Sequence, residues 1–344
     1  MTGAFAIVAA ILAVSLLIIV HEAGHYFAAR AVGMRVERFS IGFGPVLLSF
    51  RRGDTLFAIS AVPIGGYVSV AGTGANVPAD DPGAYGNKSA LRRFAFVLAG
   101  PVMNYLAAVV VAWALLAGPG LGVADPASRV GAVVPGLPAE AAGLCSGDRI
   151  ESVAGTPVES WEALVREIRR HPGEEIVLEV VRADGARERL PITPRDAGGI
   201  GQVGLQPAEL AVRTGALEGL PAAFRLTNAN LSAQLSAFGA IFTRKQKAEL
   251  SGPIGIAQEL VRGARAGLER FLKLVWTISV GLAVLNLLPF PALDGSRLLF
   301  LGYELVTRRR VNERVEGLIH AGGFVVLLIL ILAVSFGDVA RLLR

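Results

Sequence analysis

The stretch GAFAIVAAILAVSLLIIVHEAGHYFAAR, residues 3–30, runs uncharged from Gly3 to Val20 and then places His21, Glu22 and His25 in an unbroken helical pattern. At about 1.5 Å per helical residue the uncharged run measures roughly 27 Å, close to the roughly 30 Å of a hydrocarbon core. Nothing before His21 is charged, and no small-residue cleavage site ends the run. It therefore reads as a retained transmembrane helix and not as a leader peptide.

The rest of the chain agrees. Of its 344 residues 53% are hydrophobic and 18% charged, with a mean hydropathy of +0.55, too apolar for an ordinary soluble enzyme. Three further apolar stretches, residues 94–118, 274–288 and 321–336, bring the expected number of transmembrane helices to about four. Eight basic residues (Arg30, Arg35, Arg38, Arg51, Arg52, Lys88, Arg92, Arg93) separate the first two helices. Arg297, Arg308, Arg309, Arg310 and Arg314 separate the last two. Lys and Arg beside helix ends mark the cytoplasmic side, so both termini and the segment between the second and third helices are expected outside, with Arg341 and Arg344 weakly opposed. The net charge of +5 and isoelectric point near 9.7 follow from this topology; no basic stripe of the kind that binds nucleic acid is present. The single cysteine, Cys145, excludes an intramolecular disulfide and a Cys-rich metal site.

Four segments are expected: a first membrane half at 1–118, a soluble mixed domain at 119–200, juxtamembrane interfacial helices at 201–268 and a second membrane half at 269–344. Residues 39–50 and 55–70 are rich in β-formers, with Gly42, Gly44, Gly65 and Gly66 allowing tight turns. They read as a small sheet lying at the interface or against protein near a cavity, since unpaired strand amides cannot face lipid. Residues 125–196 hold nine Lys/Arg against thirteen Asp/Glu, a balance of −4. Strands are expected at 129–134, 148–153, 175–182 and 186–192, a hairpin turn at Asp184-Gly185, and a helix capped by Ser160 over 160–170. Residues 216–241 read as one or two interfacial helices, and 251–255 as a turn.

His21 and His25 are four apart, so a helix projects both imidazoles from one face, as a tetrahedral zinc site requires. Glu22 can reach a metal-bound water without being a ligand and serve as general base. Ionisable groups at membrane depth are costly enough to indicate function. A catalytic zinc site offers three protein ligands, so one is missing. Among the candidates His171 falls in the soluble domain and reads as a solvated loop residue, and His320, starting the last helix, reads as interfacial. Asp294 is the better third ligand: it follows a broken apolar run, and a carboxylate there needs a cation. Its side chain could also cap the helix that follows. Asn286 could donate to a substrate carbonyl or oxyanion, or equally satisfy backbone freed by Pro289 and Pro291.

HEAGH (21–25), FSIGFGP (39–45), VPIGGYV (62–68), LAGPVMN (98–104), SGPIGIAQ (251–258) and NLLPFPALDG (286–295) occur in this order. With them the chain resembles the site-2 protease family of intramembrane zinc metalloproteases, in its regulator-of-sigma-E-protease-like (RseP-like) group with a single PDZ domain. The resemblance implies an α-helical polytopic membrane protein with a membrane-associated β-hairpin and an inserted α+β PDZ domain, carried by residues 132–158. It implies one Zn2+ per chain on His21, His25 and Asp294, Glu22 as catalytic glutamate, and Asn286 and Pro289 in a second active-site motif. Gly65 and Gly66 would belong to a hairpin that pairs with unwound substrate. The expected activity is regulated intramembrane proteolysis of single-span membrane proteins, such as pre-cleaved anti-sigma factors or remnant signal peptides. The expected setting is a bacterial inner membrane, with the active site toward the cytoplasm and an extracytoplasmic PDZ domain that binds substrate C-termini or filters by size. Where the family reads LDGGH, this chain has Leu293-Asp294-Gly295-Ser296-Arg297, for which altered local packing is expected. The rivals are a catalytically silent, membrane-anchored PDZ adaptor and a metal transporter, which would spread its ligands along a pore.

Overall fold

A computed structural model describes residues 3–73, 81–242 and 252–342. Ser251 of the SGPIGIAQ motif lies outside the described residues. The chain divides into two compact units, residues 1–119 with 214–344, and residues 120–213.

The first unit begins with α1 (Gly3–Ala31), whose buried residues Ala6, Ala10, Ala13, Leu17, Gly24 and His25 form one stripe. Small residues on that stripe let neighbouring helices approach closely. Phe5, Leu12 and Leu16 on the other faces are exposed, as a lipid-facing surface requires. β1 (Val36–Arg52) and β2 (Thr55–Val70) form an antiparallel pair with two registers: Phe39 pairs with Val68 and also with Phe57, and Ile41 with Gly66 and also with Ile59. Both strands fold back at their glycines, so the first half of β1 lies between the two halves of β2. Residues 66–70 thereby become an edge. Leu47, Leu48 and Phe50 of the outer half of β1 are 64, 68 and 63% exposed, an apolar surface suited to a membrane. α2 (Ala90–Ala117) follows, its first turn capped by the Ser89 hydroxyl.

The second unit comprises β3 (Leu121–Ala124), β4 (Val130–Val133), α3 (Pro138–Ala141), β5 (Arg149–Val153), β6 (Thr156–Pro157), α4 (Trp161–Arg169), β7 (Ile176–Val181), β8 (Arg187–Ile192), β9 (Arg195–Asp196), β10 (Gly201–Gln202), β11 (Leu205–Pro207) and β12 (Glu209–Val212). Its main sheet has the order β6-β5-β7-β8, while β11 returns to β4 and β12 to β3. These last pairings carry the unit to Arg213, so the expected boundary at residue 200 falls inside it. Residues 201–213 are strands of this unit, not juxtamembrane helix. Val130, Ile150, Val153, Leu164 and Leu178 are fully buried in its core.

Among the described residues five helices follow in the first unit: α5 (Ala216–Phe242), α6 (Pro253–Ala266), α7 (Leu268–Leu287), α8 (Asp294–Thr307) and α9 (Glu313–Leu342). α5 is one continuous helix, joined to α2 by Trp113 Nε1 donating to the Ala216 carbonyl at 2.7 Å and Tyr105 donating to Asn228 at 2.7 Å. Among the described residues α1, α2 and α9 are each long and apolar enough to cross a membrane. α7 spans about 30 Å at the helical rise, with its charges, Glu269, Arg270 and Lys273, confined to its first turns. Pro289 and Pro291 end it and start the loop to α8.

Candidate metal centre

The inward stripe of α1 continues through His21 and His25, one turn apart, with ring centroids 4.8 Å apart and planes at 88°. Their Nε2 atoms are 3.2 Å apart. The loop after α7 brings Asp294 to the same point, its Oδ2 3.1 Å from His21 Nε2 and 3.3 Å from His25 Nε2. Four-coordinate zinc with bonds of about 2.0–2.2 Å separates its ligand atoms by roughly 3.3–3.5 Å. Asp294 Oδ2 is buried and accepts no hydrogen bond despite this proximity. A buried carboxylate oxygen with no donor calls for a cation, so this triad fits zinc.

α2 backs the two histidines. His25 Nδ1 donates to the Phe96 carbonyl at 2.9 Å, leaving Nε2 without a proton and turned toward His21 and Asp294. The Asn104 side chain lies 3.3 Å from His21 Nδ1. Between them, a β-carbon on Gly100 would fall 2.6 Å from His25 Cε1 and 2.7 Å from His21 Cε1. On α1, a β-carbon on Gly24 would fall 2.8 Å from the Ala99 carbonyl carbon. The close crossing of the two helices depends on both glycines.

A cavity of about 760 Å3 opens over the triad, lined also by Glu22, Tyr67, Val68, Asn104, Asn286, Arg297, His320 and Phe324. The Val68 backbone is within hydrogen-bonding reach of the Glu22 carboxylate. Gly66 lies beside Glu22: a β-carbon there would sit 3.6 Å from Glu22 Cγ and 2.8 Å from the Ser40 carbonyl. Gly65 has φ +97° and faces the Phe43 ring. Pro289 is apart from this cavity and lines an apolar groove with Leu287, Leu298 and Leu299.

Two readings change. Asp294 occupies the first helical position of α8 after Leu293, and its side chain makes no cap. His320, two turns into α9 and not at its start, lies within the cavity wall: α9 folds over the triad, and His320 Nδ1 accepts from the Ala292 N–H at 3.2 Å. Ala292 needs that support, having φ +76°, an unfavourable conformation for a residue with a side chain. Ser296 is buried and donates to the Leu293 carbonyl at 2.8 Å, while Arg297 lines the cavity one turn after Asp294. Sequence reasoning passed over Asn104, Gly100, Phe96 and His320 as parts of the site. The motif around Gly100 and Asn104 was visible, but nothing in its spacing shows which residues it meets.

The sequence pattern of Peptidase family M50 matches residues 9–330. The chain belongs to that family. A protein of Clostridium acetobutylicum assigned as a zinc metalloprotease is 33% identical to this M50 peptidase over 97% of each chain. The zinc metalloprotease RasP of Oceanobacillus iheyensis is 26% identical over 98% of this chain and 99% of its own. RasP of Geobacillus kaustophilus is 28% identical over 94% and 95%. The M50 peptidase is thus a site-2-type zinc metalloprotease of a bacterial membrane. A solved PDZ domain from Listeria monocytogenes matches over 25% of this chain and 90% of its own at 22% identity, with a TM-score of 0.22.

Proposed function

We propose that the chain cuts single-span membrane proteins within their apolar segments, with His21, His25 and Asp294 as zinc ligands and Glu22 as general base and acid. The observation that supports this is the set of three ligand atoms 3.1–3.3 Å apart beneath a cavity, two of them on α1, a helix long and apolar enough to cross a membrane, and the third at the start of α8. His21, His25 and Asp294 would hold the zinc ion, which would supply Lewis acidity and a water nucleophilic at neutral pH. Glu22 takes the proton from the attacking water and returns it to the leaving amine. Asn286 donates its amide to the oxygen on which negative charge develops. The edge at residues 66–70 pairs with substrate backbone once it has unwound, because helical amides are already bonded to one another and shielded. Gly66 leaves room for that strand beside Glu22, and Gly65 turns the chain into it. Pro289 acts at a distance, by ending α7 so that Asp294 can reach the histidines.

The basic segments between α1 and α2 and after α8 support a site toward the cytoplasm. We read residues 120–213 as an extracytoplasmic PDZ module that binds substrate C-termini or excludes bulky substrates. Substrates with one membrane span and a shortened outer part, such as clipped anti-sigma factors or remnant signal peptides, fit both roles. The test is to incubate purified protein in nanodiscs with a single-span reporter and map the cut bond by mass spectrometry. A cut inside the apolar segment, absent with Glu22→Gln, is expected. Cuts only in the soluble flanks would contradict the reading.

A further inference from the structure

We propose that Asn104 is a positioning residue for the zinc centre: its side-chain oxygen accepts the Nδ1–H of His21 and so fixes the tautomer that leaves His21 Nε2 free for the metal. This rests on the reading of His21 as a ligand. The nitrogen of His21 that faces His25 and Asp294 is Nε2. When Nε2 holds the metal the proton must reside on Nδ1, and a buried N–H needs an acceptor. The polar group there is the Asn104 amide, 3.3 Å away, on a residue with no exposed surface. An amide has a donating and an accepting end of nearly equal shape. With the NH2 end toward His21, Nδ1 must be the acceptor and the proton sits on Nε2, where it blocks the metal. In that orientation Asn104 Oδ1 is also buried without any partner. Turning the amide brings Oδ1 onto the Nδ1–H and opens Nε2.

The backbone holds Asn104 for this task. Its carbonyl accepts from the buried Ser279 hydroxyl of α7 at 2.8 Å. Phe96, Gly100 and Asn104 recur every fourth residue along one face of α2. Respectively they take the His25 N–H, leave space for both rings, and meet the His21 Nδ1. One helix face orients both histidines.

The experiment measures zinc affinity of the full chain by chelator competition for the wild type, Asn104→Leu, Asn104→Asp and His21→Ala. Asn104→Leu removes the acceptor and is expected to weaken zinc binding about 10–100-fold, the usual effect of losing such a partner. Asn104→Asp keeps an acceptor and is expected to stay within several-fold of wild type. Wild-type affinity in Asn104→Leu, or equal loss in both Asn104 variants, would overturn the proposal. If His21→Ala binds zinc normally, the ligand reading itself fails; if it loses zinc while Asn104→Leu does not, only this inference fails. A measurement on the wild type guards against misfolded variants. The zinc-loaded protein, labelled with 15N-histidine, has four histidines to assign. His21 is expected to show a protonated Nδ1 in slow exchange with water. Metal on Nδ1, or a rapidly exchanging Nδ1 proton, would overturn the proposal.

Discussion

Gly100 lies so close to His25 that a methyl group on it would sit 2.6 Å from the imidazole Cε1. Gly100→Ala is therefore expected to push both histidines off the metal position and lower zinc affinity and cleavage by at least tenfold. Gly302 of α8 has nothing within 4 Å of an added β-carbon. Gly302→Ala should keep activity and stabilise the helix by about 0.5–1 kcal/mol. Chelator competition and thermal melting of the two variants check the contrast.

Asp294 supplies the anionic corner of the triad. Asp294→Asn keeps the size and removes the charge, and is expected to reduce bound zinc from one per chain to a small fraction. Metal analysis after dialysis against a mild chelator reads the outcome directly. Ser296→Gly, one turn position from the cluster, should leave stoichiometry unchanged.

At the far end of α9, the Asp338 carboxylate accepts from Gly252 N–H at 3.2 Å and Gly255 N–H at 2.8 Å. A carboxylate at a helix N-terminus satisfies otherwise unpaired amides and the helix dipole. Asp338 is 4% exposed, so Asp338→Ala is expected to cost about 1–3 kcal/mol by leaving buried amides unmatched. Thermal unfolding in a fixed detergent measures the loss.

Within residues 120–213, Leu164 of α4 is fully buried. Leu164→Ala is expected to destabilise that unit by about 2–5 kcal/mol. Limited proteolysis should then cut residues 120–213 first while zinc content persists.

His171 provides a pH test outside the membrane. Glu174 above all, then Glu167, raise its pKa over the usual histidine value, against the opposing effect of desolvation. A raised folded pKa gives stability that is complete below the unfolded value of about 6.5 and is lost as pH rises through the folded value. NMR titration should place the His171 midpoint above that of a free histidine, and Glu174→Gln should lower it.

Much of the site was readable because its chemistry is local: HEAGH sits in one helical turn, and Asp294 is a carboxylate stranded in an apolar, proline-broken run. The contacts that orient the histidines were not readable, since Phe96 and Asn104 meet them from another helix and nothing in α2 names its partner. The glycine-rich strands were visible as strands. Their doubled register was not, because alternation shows which face a residue occupies and not which strand lies beside it. The short strands at 205–207 and 209–212 escaped for a related reason: only pairing with β4 and β3, far earlier in the chain, makes them strands.

The most direct test compares zinc content and cleavage in one preparation of Glu22→Gln. The account predicts one zinc per chain, as in wild type, with cleavage of a membrane-embedded reporter below detection, because the ligands remain while the group that moves the proton is gone. Cleavage at the wild-type rate with zinc still bound would contradict it.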